Sequence, residues 1–297
     1  MYLLTFLLPL LSIFSSTEAP TATDPQQLFL STDSGNSWQP FGEGLPEGVM
    51  PRDIVETETR LIMTTRSEGV FALTKSPIGQ TDNCHWVSIS KGLPEGIFIN
   101  DLLVQDQRLV LGTYESGVFV SSDGGANWRR PIFNLKVSVN SFVLDEDGVI
   151  LAATDAGIHH SFDMGETWHL KEKIYRIRHL AMHNGNLVAT RQNTVGTIKD
   201  GVATWSAEKT DWAINQPIPG GEYLYARTSK GQMIRTKDGL EMEKASSLNM
   251  YMPGVPANAT LPEALWHGLK VKLPGNQDLG VLKETSIGWF AGIMSGC

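Results

Sequence analysis

The pattern Ser-x-Asp-x-Gly-x-x-Trp is spelled three times in this chain, as STDSGNSW (31–38), SSDGGANW (121–128) and SFDMGETW (161–168). Four fixed positions match by chance on the order of once in 10⁵ starts, so three matches mark a repeat rather than a coincidence. Asp33 and Asp123 lie 90 residues apart, which is two steps of 45, and Asp163 follows after another 40. Weaker copies continue the series. Asp200 in KDGVATW precedes Trp205 by five residues, as in the full boxes, and Asp238 stands in TKDGLEME. Where one more box belongs, an insertion, TKSPIGQTDNCHW, ends at Trp86. Six box positions thus recur at steps of roughly 37 to 46 residues. A period of that length implies stacked small units, since one unit alone cannot bury its apolar face.

The segments between the boxes share a template. RLIMTTRSEGVFAL (60–73), RLVLGTYESGVFVS (108–121) and GVILAATDAGIHHS (148–161) each read as strand, polar turn with Gly, and strand. GNLVATRQNTVGTI (185–198) and EYLYARTSKGQMIR (222–235) are weaker copies. A further short apolar strand precedes each pair: RDIVE, NDLLVQ, NSFVLD and RHLAMH. The linker GLPEG occurs twice, at 44–48 and 92–96. Four short strands per repeat describe the blades of an all-β propeller, each a four-stranded antiparallel sheet. Six blades are expected, with the last segment (LKVKL, LGVLKE, IGWFAGIM) supplying inner strands to the blade whose outer strands are N-terminal. If that tail forms a blade of its own, the count is seven.

Within the box, Ser and Asp side chains suit bonds to the turn's own N–H groups, Gly tolerates positive φ, and Trp buries a large ring between sheets. On these residues, over about 28–245, the chain resembles the Asp-box (BNR) repeat β-propellers, a group that includes sialidases, sortilin-type receptors and photosystem assembly factors. The resemblance implies that the box is structural and lies away from the ligand face, so Asp33, Asp123 and Asp163 are scaffold residues.

The start of the chain, MYLLTFLLPLLSIF followed by small polar residues, reads as a secretory signal peptide over 1–22 with cutting near Ala19 or Ala22. The mature chain, 23–297, is then a single secreted or periplasmic domain with no integral membrane segment. Hydrophobic residues make up 41% of the sequence, enough for a sizeable core. A net charge of −8 without a basic block argues against nucleic acid as a partner. The two cysteines, Cys84 and Cys297, either pair or are unrelated thiols. Asn258 opens a glycosylation sequon. No metal-ligand spacing, phosphate-cradling loop or nucleophile elbow occurs, so neither a metal nor another cofactor is expected.

Ligands of propellers bind where the inner strands begin and where the second and third strands turn. The aligned repeats place Arg52, Asn100, Asn140 and Arg178 at the first location, followed by Asp53, Asp101, Ser141 and His179. The turns carry Arg66 with Glu68, Tyr114 with Glu115, Asp155, Arg191 and Arg227. The expected ligand-binding set is therefore Arg52, Asp53, Arg66, Glu68, Asn100, Asp101, Tyr114, Glu115, Asp155, Arg178, Arg191 and Arg227. Five arginines on one face suit a carboxylate or phosphate; the same arginines and acids can also neutralise one another in water. The sialidase relatives would require an Arg-Ile-Pro motif ahead of the first box. Here the nearest string is YRIR (175–178), after the third full box and without Pro. The sequence thus favours a non-catalytic binding module for a glycan, peptide or protein ligand. A sialidase-like glycoside hydrolase and an assembly factor for an envelope or photosynthetic complex are the alternatives.

Overall fold

The computed structural model describes residues 28–33, 37–74, 84–132, 135–207, 209–210, 213–214, 217–220, 222–228, 233–244 and 278–294. The apolar leader, Asn258 and Cys297 lie outside the described residues; Cys84 is half-buried against the first core cluster. No helix occurs among the described residues, and hence none is long and apolar enough to cross a membrane.

The strands fall into six antiparallel sheets among the described residues. One joins both ends of the chain: β1 (Leu28–Ser31) and β2 (Gln39–Pro40) pair with β22 (Asp278–Thr285) and β23 (Gly288–Met294) in the order β2-β1-β23-β22. The next holds β3 (Pro51–Glu56), β4 (Leu61–Thr65), β5 (Val70–Leu73) and β6 (Trp86–Ser88). A three-stranded sheet follows with β7 (Ile99–Gln105), β8 (Arg108–Thr113) and β9 (Gly117–Ser121). The fourth holds β10 (Val139–Leu144), β11 (Ile150–Thr154), β12 (Gly157–Ser161) and β13 (His169–Glu172). The fifth holds β14 (His179–His183), β15 (Asn186–Thr190), β16 (Val195–Lys199) and β17 (Val202–Trp205). The sixth holds β18 (Ile218–Gly220), β19 (Tyr223–Arg227), β20 (Met233–Thr236) and β21 (Glu243–Lys244). The third sheet differs from the four-stranded expectation for a local reason. Its outer strand shrinks to one bridge, Val120 with Arg129, because Pro131 follows and has no N–H to donate.

Consecutive sheets stack through their first strands: β22 against β3, β3 against β7, β7 against β10, β10 against β14 and β14 against β18. The second strands β4 and β11 are buried along their whole length, which is why LIMTT and ILAAT carry no charge. The tryptophans at the starts of outer strands fill equivalent places between sheets. Trp86 packs on Leu28, Leu30 and Phe290 of the preceding sheet, Trp128 on Ile62 and Val70, and Trp168 on Val110, Val118 and Val120.

Each box closes with the same bonds. Asp123 accepts the Ser121 hydroxyl (2.8 Å) and the Asn127 amide N–H (2.9 Å) on one oxygen and the Asn127 side chain (2.8 Å) on the other. Asp163 repeats this with Ser161 and Thr167, and Asp33 with Ser31 and Ser37. These donors, the Asn127 side chain foremost, hold the Asp123 carboxyl down to about 2.

The fifth sheet departs from its box reading. Asp200 and Gly201 both take positive φ (49° and 77°) and Lys199 pairs with Val202, which makes a two-residue hairpin turn. The shorter turn starts β17 earlier, so Trp205 closes the outer strand at its far end instead of opening it.

Candidate functional site

The ends at which the first strands begin and the second and third strands turn form one face, called upper here. There the chain is stapled from sheet to sheet. Arg52 Nε donates to the Asn100 carbonyl (2.9 Å), the Asn100 amide to the Val139 carbonyl (3.0 Å), and the Asn140 amide to the Ile177 carbonyl (3.0 Å). One position further in, Phe142 N–H donates to Asp101 Oδ2 (2.6 Å) and Leu180 N–H to the Ser141 hydroxyl (3.3 Å). The series stops at the fifth sheet. Among the described residues the Arg178 guanidinium and the His179 ring have no hydrogen-bond partner.

Above these staples lies a cavity of about 820 Å³, within the range of sites for small ligands. Arg52, Asn100, Tyr114, Asp155, Arg178 and Arg191 of the expected set line it. Asp53, Arg66, Glu68, Asp101 and Glu115 are not among its lining residues. Asp53 bonds the N–H of Ile54 (2.8 Å), and the two Asp101 oxygens are taken by Leu102 and Phe142. Glu68 is tied to its neighbour Ser67. Arg227 ends β19, and its side chain lies outside the described residues. Asn140 and His179, which the aligned strand starts placed on this face, line it too, and the cavity adds residues the alignment did not single out, among them Arg176, Gln192, Asn193, Trp205 and Lys209. Arg176 carried no periodic signal, because its backbone takes φ +65° and leaves the extended region. In YRIR, Ile177 is buried between Arg176 and Arg178, both of which line the cavity.

The lining is strongly cationic. Arg52, Arg176, Arg178, Arg191 and Lys209 face one carboxylate, Asp155, in a chain whose net charge is −8. The three ion pairs among the described residues, Arg129–Glu166, Arg235–Glu243 and Lys237–Glu222, involve none of them. Arg191 lies over the Trp205 ring with its guanidinium carbon 4.0 Å from the centroid. Arg52 reaches water only inside a concavity, so loss of solvent lowers its pKa despite the opposing field of Asp101. Among the described residues no three His, Cys, Asp or Glu side chains converge to hold a metal.

Burial, then the nearby Arg178 and Arg52, push His179 down to about 4 from 6.5, so the ring is neutral at pH 7. An unfolded chain protonates this residue below about 6.5 while the folded protein refuses the proton until about 4, so His179 makes stability fall as pH drops through that window. Burial pushes Asp101 up to about 6, and its contribution has the opposite sign: present at low pH and lost as pH rises through 6. His179→Gln removes the first effect and leaves the second. Between about pH 7 and about pH 4.5 the variant should gain about 2 kcal/mol on the unsubstituted protein, measured by urea denaturation at each pH. A gap independent of pH would show that the folded ring is not held neutral.

No family model and no curated protein matches the sequence. Solved structures do match in fold. YCF48 bound to D1 peptide aligns at TM-score 0.51 and 14% identity over 76% of this chain and 73% of that one. YCF48 from Cyanidioschyzon merolae aligns at 0.50 and 13%, over 87% and 85%. The extracellular domain of a hybrid two-component system protein from B. thetaiotaomicron aligns at 0.53 and 14%, over 69% of this chain and 29% of that one. A WD40 β-propeller, that of Doa1, aligns at 0.51 and 11%. At these identities the likeness is one of architecture, and the chain has the all-β, stacked-sheet fold of the β-propeller proteins.

Proposed function

We propose that this chain is an exported Asp-box β-propeller, six sheets in a ring closed by the strands of its two ends, and that it acts as a non-catalytic binding module. Its ligand is an anionic glycan, peptide or protein segment held in the upper cavity. The observation that carries this reading is the cation excess: four arginines and a lysine share one space with a single carboxylate, and no ion pair neutralises them among the described residues. Guanidinium groups without an acid partner present donor forks matched to carboxylate, sulfate or phosphate. The repeated Ser–Asp bonds in the turns support the Asp-box assignment, and the shared sheet of β1, β2, β22 and β23 supports closure. A peptide is the ligand named for the YCF48 structure, which supports peptides among the classes to screen. Arg52→Ala, Arg178→Ala and Arg191→Ala combined should abolish binding on glycan and peptide arrays; retained binding moves the site elsewhere.

A second reading, a sialidase-like glycoside hydrolase, draws support from one observation. The Tyr114 hydroxyl is hydrogen-bonded to the Glu115 carboxylate, a base placed to take its proton, and Asp155 lines the same cavity as Tyr114. Turnover of a fluorogenic sialoside that disappears in Tyr114→Phe would favour this reading; no turnover by the unsubstituted protein removes it.

A further inference from the structure

The two ends of the cavity differ in how their cations are balanced. At the Arg52 end, Asp101 and Asp53 lie beneath the guanidinium and offset its charge. At the fifth-sheet end, Arg191, Arg176 and Lys209 line the wall together; burial first and then the like charge of Arg176 act on Arg191, and among the described residues no acid opposes them. Three further features set this end apart. The Arg191 guanidinium carbon sits 4.0 Å from the Trp205 ring centroid, a contact that restrains the side chain. Its buried Nε has no hydrogen-bond partner among the described residues. Arg176 takes φ +65°, a left-handed conformation that a non-glycine residue adopts at a cost of about 1 kcal/mol. Strain, an unmet donor and like charge thus converge on one spot.

We propose that this end of the cavity is a subsite for a tetrahedral oxyanion ester, a phosphate or sulfate group, gripped by Arg191, Arg176 and Lys209. Such an ester offers three terminal oxygens pointing in different directions, one for each cationic group. A carboxylate offers two oxygens in one plane, which a single guanidinium fork already satisfies. The Trp205 ring and Ser206 beside it complete the wall toward which the ester's carrier would lie. This deepens the anion-binding reading and rests on it.

The test titrates the full chain with glucose 6-phosphate, glucose 6-sulfate and glucuronate by calorimetry at one ionic strength. The esters should bind at least about 10-fold more tightly than the carboxylate, and the order of the two esters tells a phosphate site from a sulfate site. Arg191→Gln should weaken ester binding by about 10- to 100-fold. Arg176→Asn should do likewise while leaving the melting temperature unchanged or raised, because asparagine tolerates the left-handed backbone; loss of binding there cannot be blamed on misfolding. Equal affinity for the three probes overturns the subsite alone. So does ester binding that survives both substitutions yet is lost in Arg52→Ala. Failure of every probe to bind, together with blank arrays, overturns the anion-binding reading and the subsite with it.

Discussion

Gly92→Ala should cost about 4 kcal/mol of folding stability, read as a drop in the urea midpoint. Gly92 sits at φ +97°, and a Cβ built there falls on the backbone carbonyl of Trp128. The neighbouring Lys91 carbonyl accepts the Trp128 N–H at 2.8 Å, so the linker cannot back away without releasing the ring that fills the second core cluster. Gly44 meets Trp86 in the same way, with φ +87° and the Glu43 carbonyl accepting the Trp86 N–H at 2.7 Å. The second glycine of each GLPEG linker provides an internal control. Gly96 also has positive φ (68°), but nothing lies within 4 Å of its added Cβ. Gly96→Ala should therefore cost only about 1 kcal/mol, the backbone penalty without the collision. Equal losses at Gly92 and Gly96 would show that the linker does not bear on the tryptophan.

The combined Arg52, Arg178 and Arg191 alanine variant should lose about 10³-fold in affinity for the ligand found on the arrays, about 10-fold for each charge-assisted contact removed. Stability should change far less. Arg178 has no hydrogen-bond partner to strand among the described residues, and Arg52 gives up one bond to the Asn100 carbonyl, worth about 1 kcal/mol. Measuring affinity at low and high salt separates the two roles: the unsubstituted protein should weaken steeply as salt rises, and the triple variant, with only Arg176 and Lys209 left, less steeply. A variant that binds as well as its parent at low salt would place the ligand outside the cavity.

Much of the architecture was legible because it repeats. Ser121, Asp123 and Trp128 do one job, and the same job recurs at Ser161, Asp163 and Trp168, so periodicity alone exposes the sheets. The candidate site was legible only in part, since its members are the places where repeats differ. Arg52 and Arg178 follow from alignment of strand starts, but so do Asp101 and Asn140, which hold one sheet to the next through Phe142 N–H and the Ile177 carbonyl. Alignment finds a shared location and cannot tell which way a side chain turns there. Trp205 was misplaced for a different reason. Its spacing from Asp200 copies the box, but the backbone at Asp200 and Gly201 turns in two residues and carries the ring to the opposite end of the strand. Lys209 follows β17, where no periodic pattern constrains a reading.

The partnership of β1 with β23 has a consequence for biogenesis. Leu28 pairs with Gly292 and Ser31 with Trp289, so the segment at 28–31 meets its neighbour only once residues 289–292 have been synthesised. Until then Leu28, Leu30 and Trp86 have no Phe290 to pack against, so completion of this core cluster waits on a contact of long sequence separation. Removing either β1 or β23 disrupts the same sheet, so a protease site set close against one of these strands would weaken both at once.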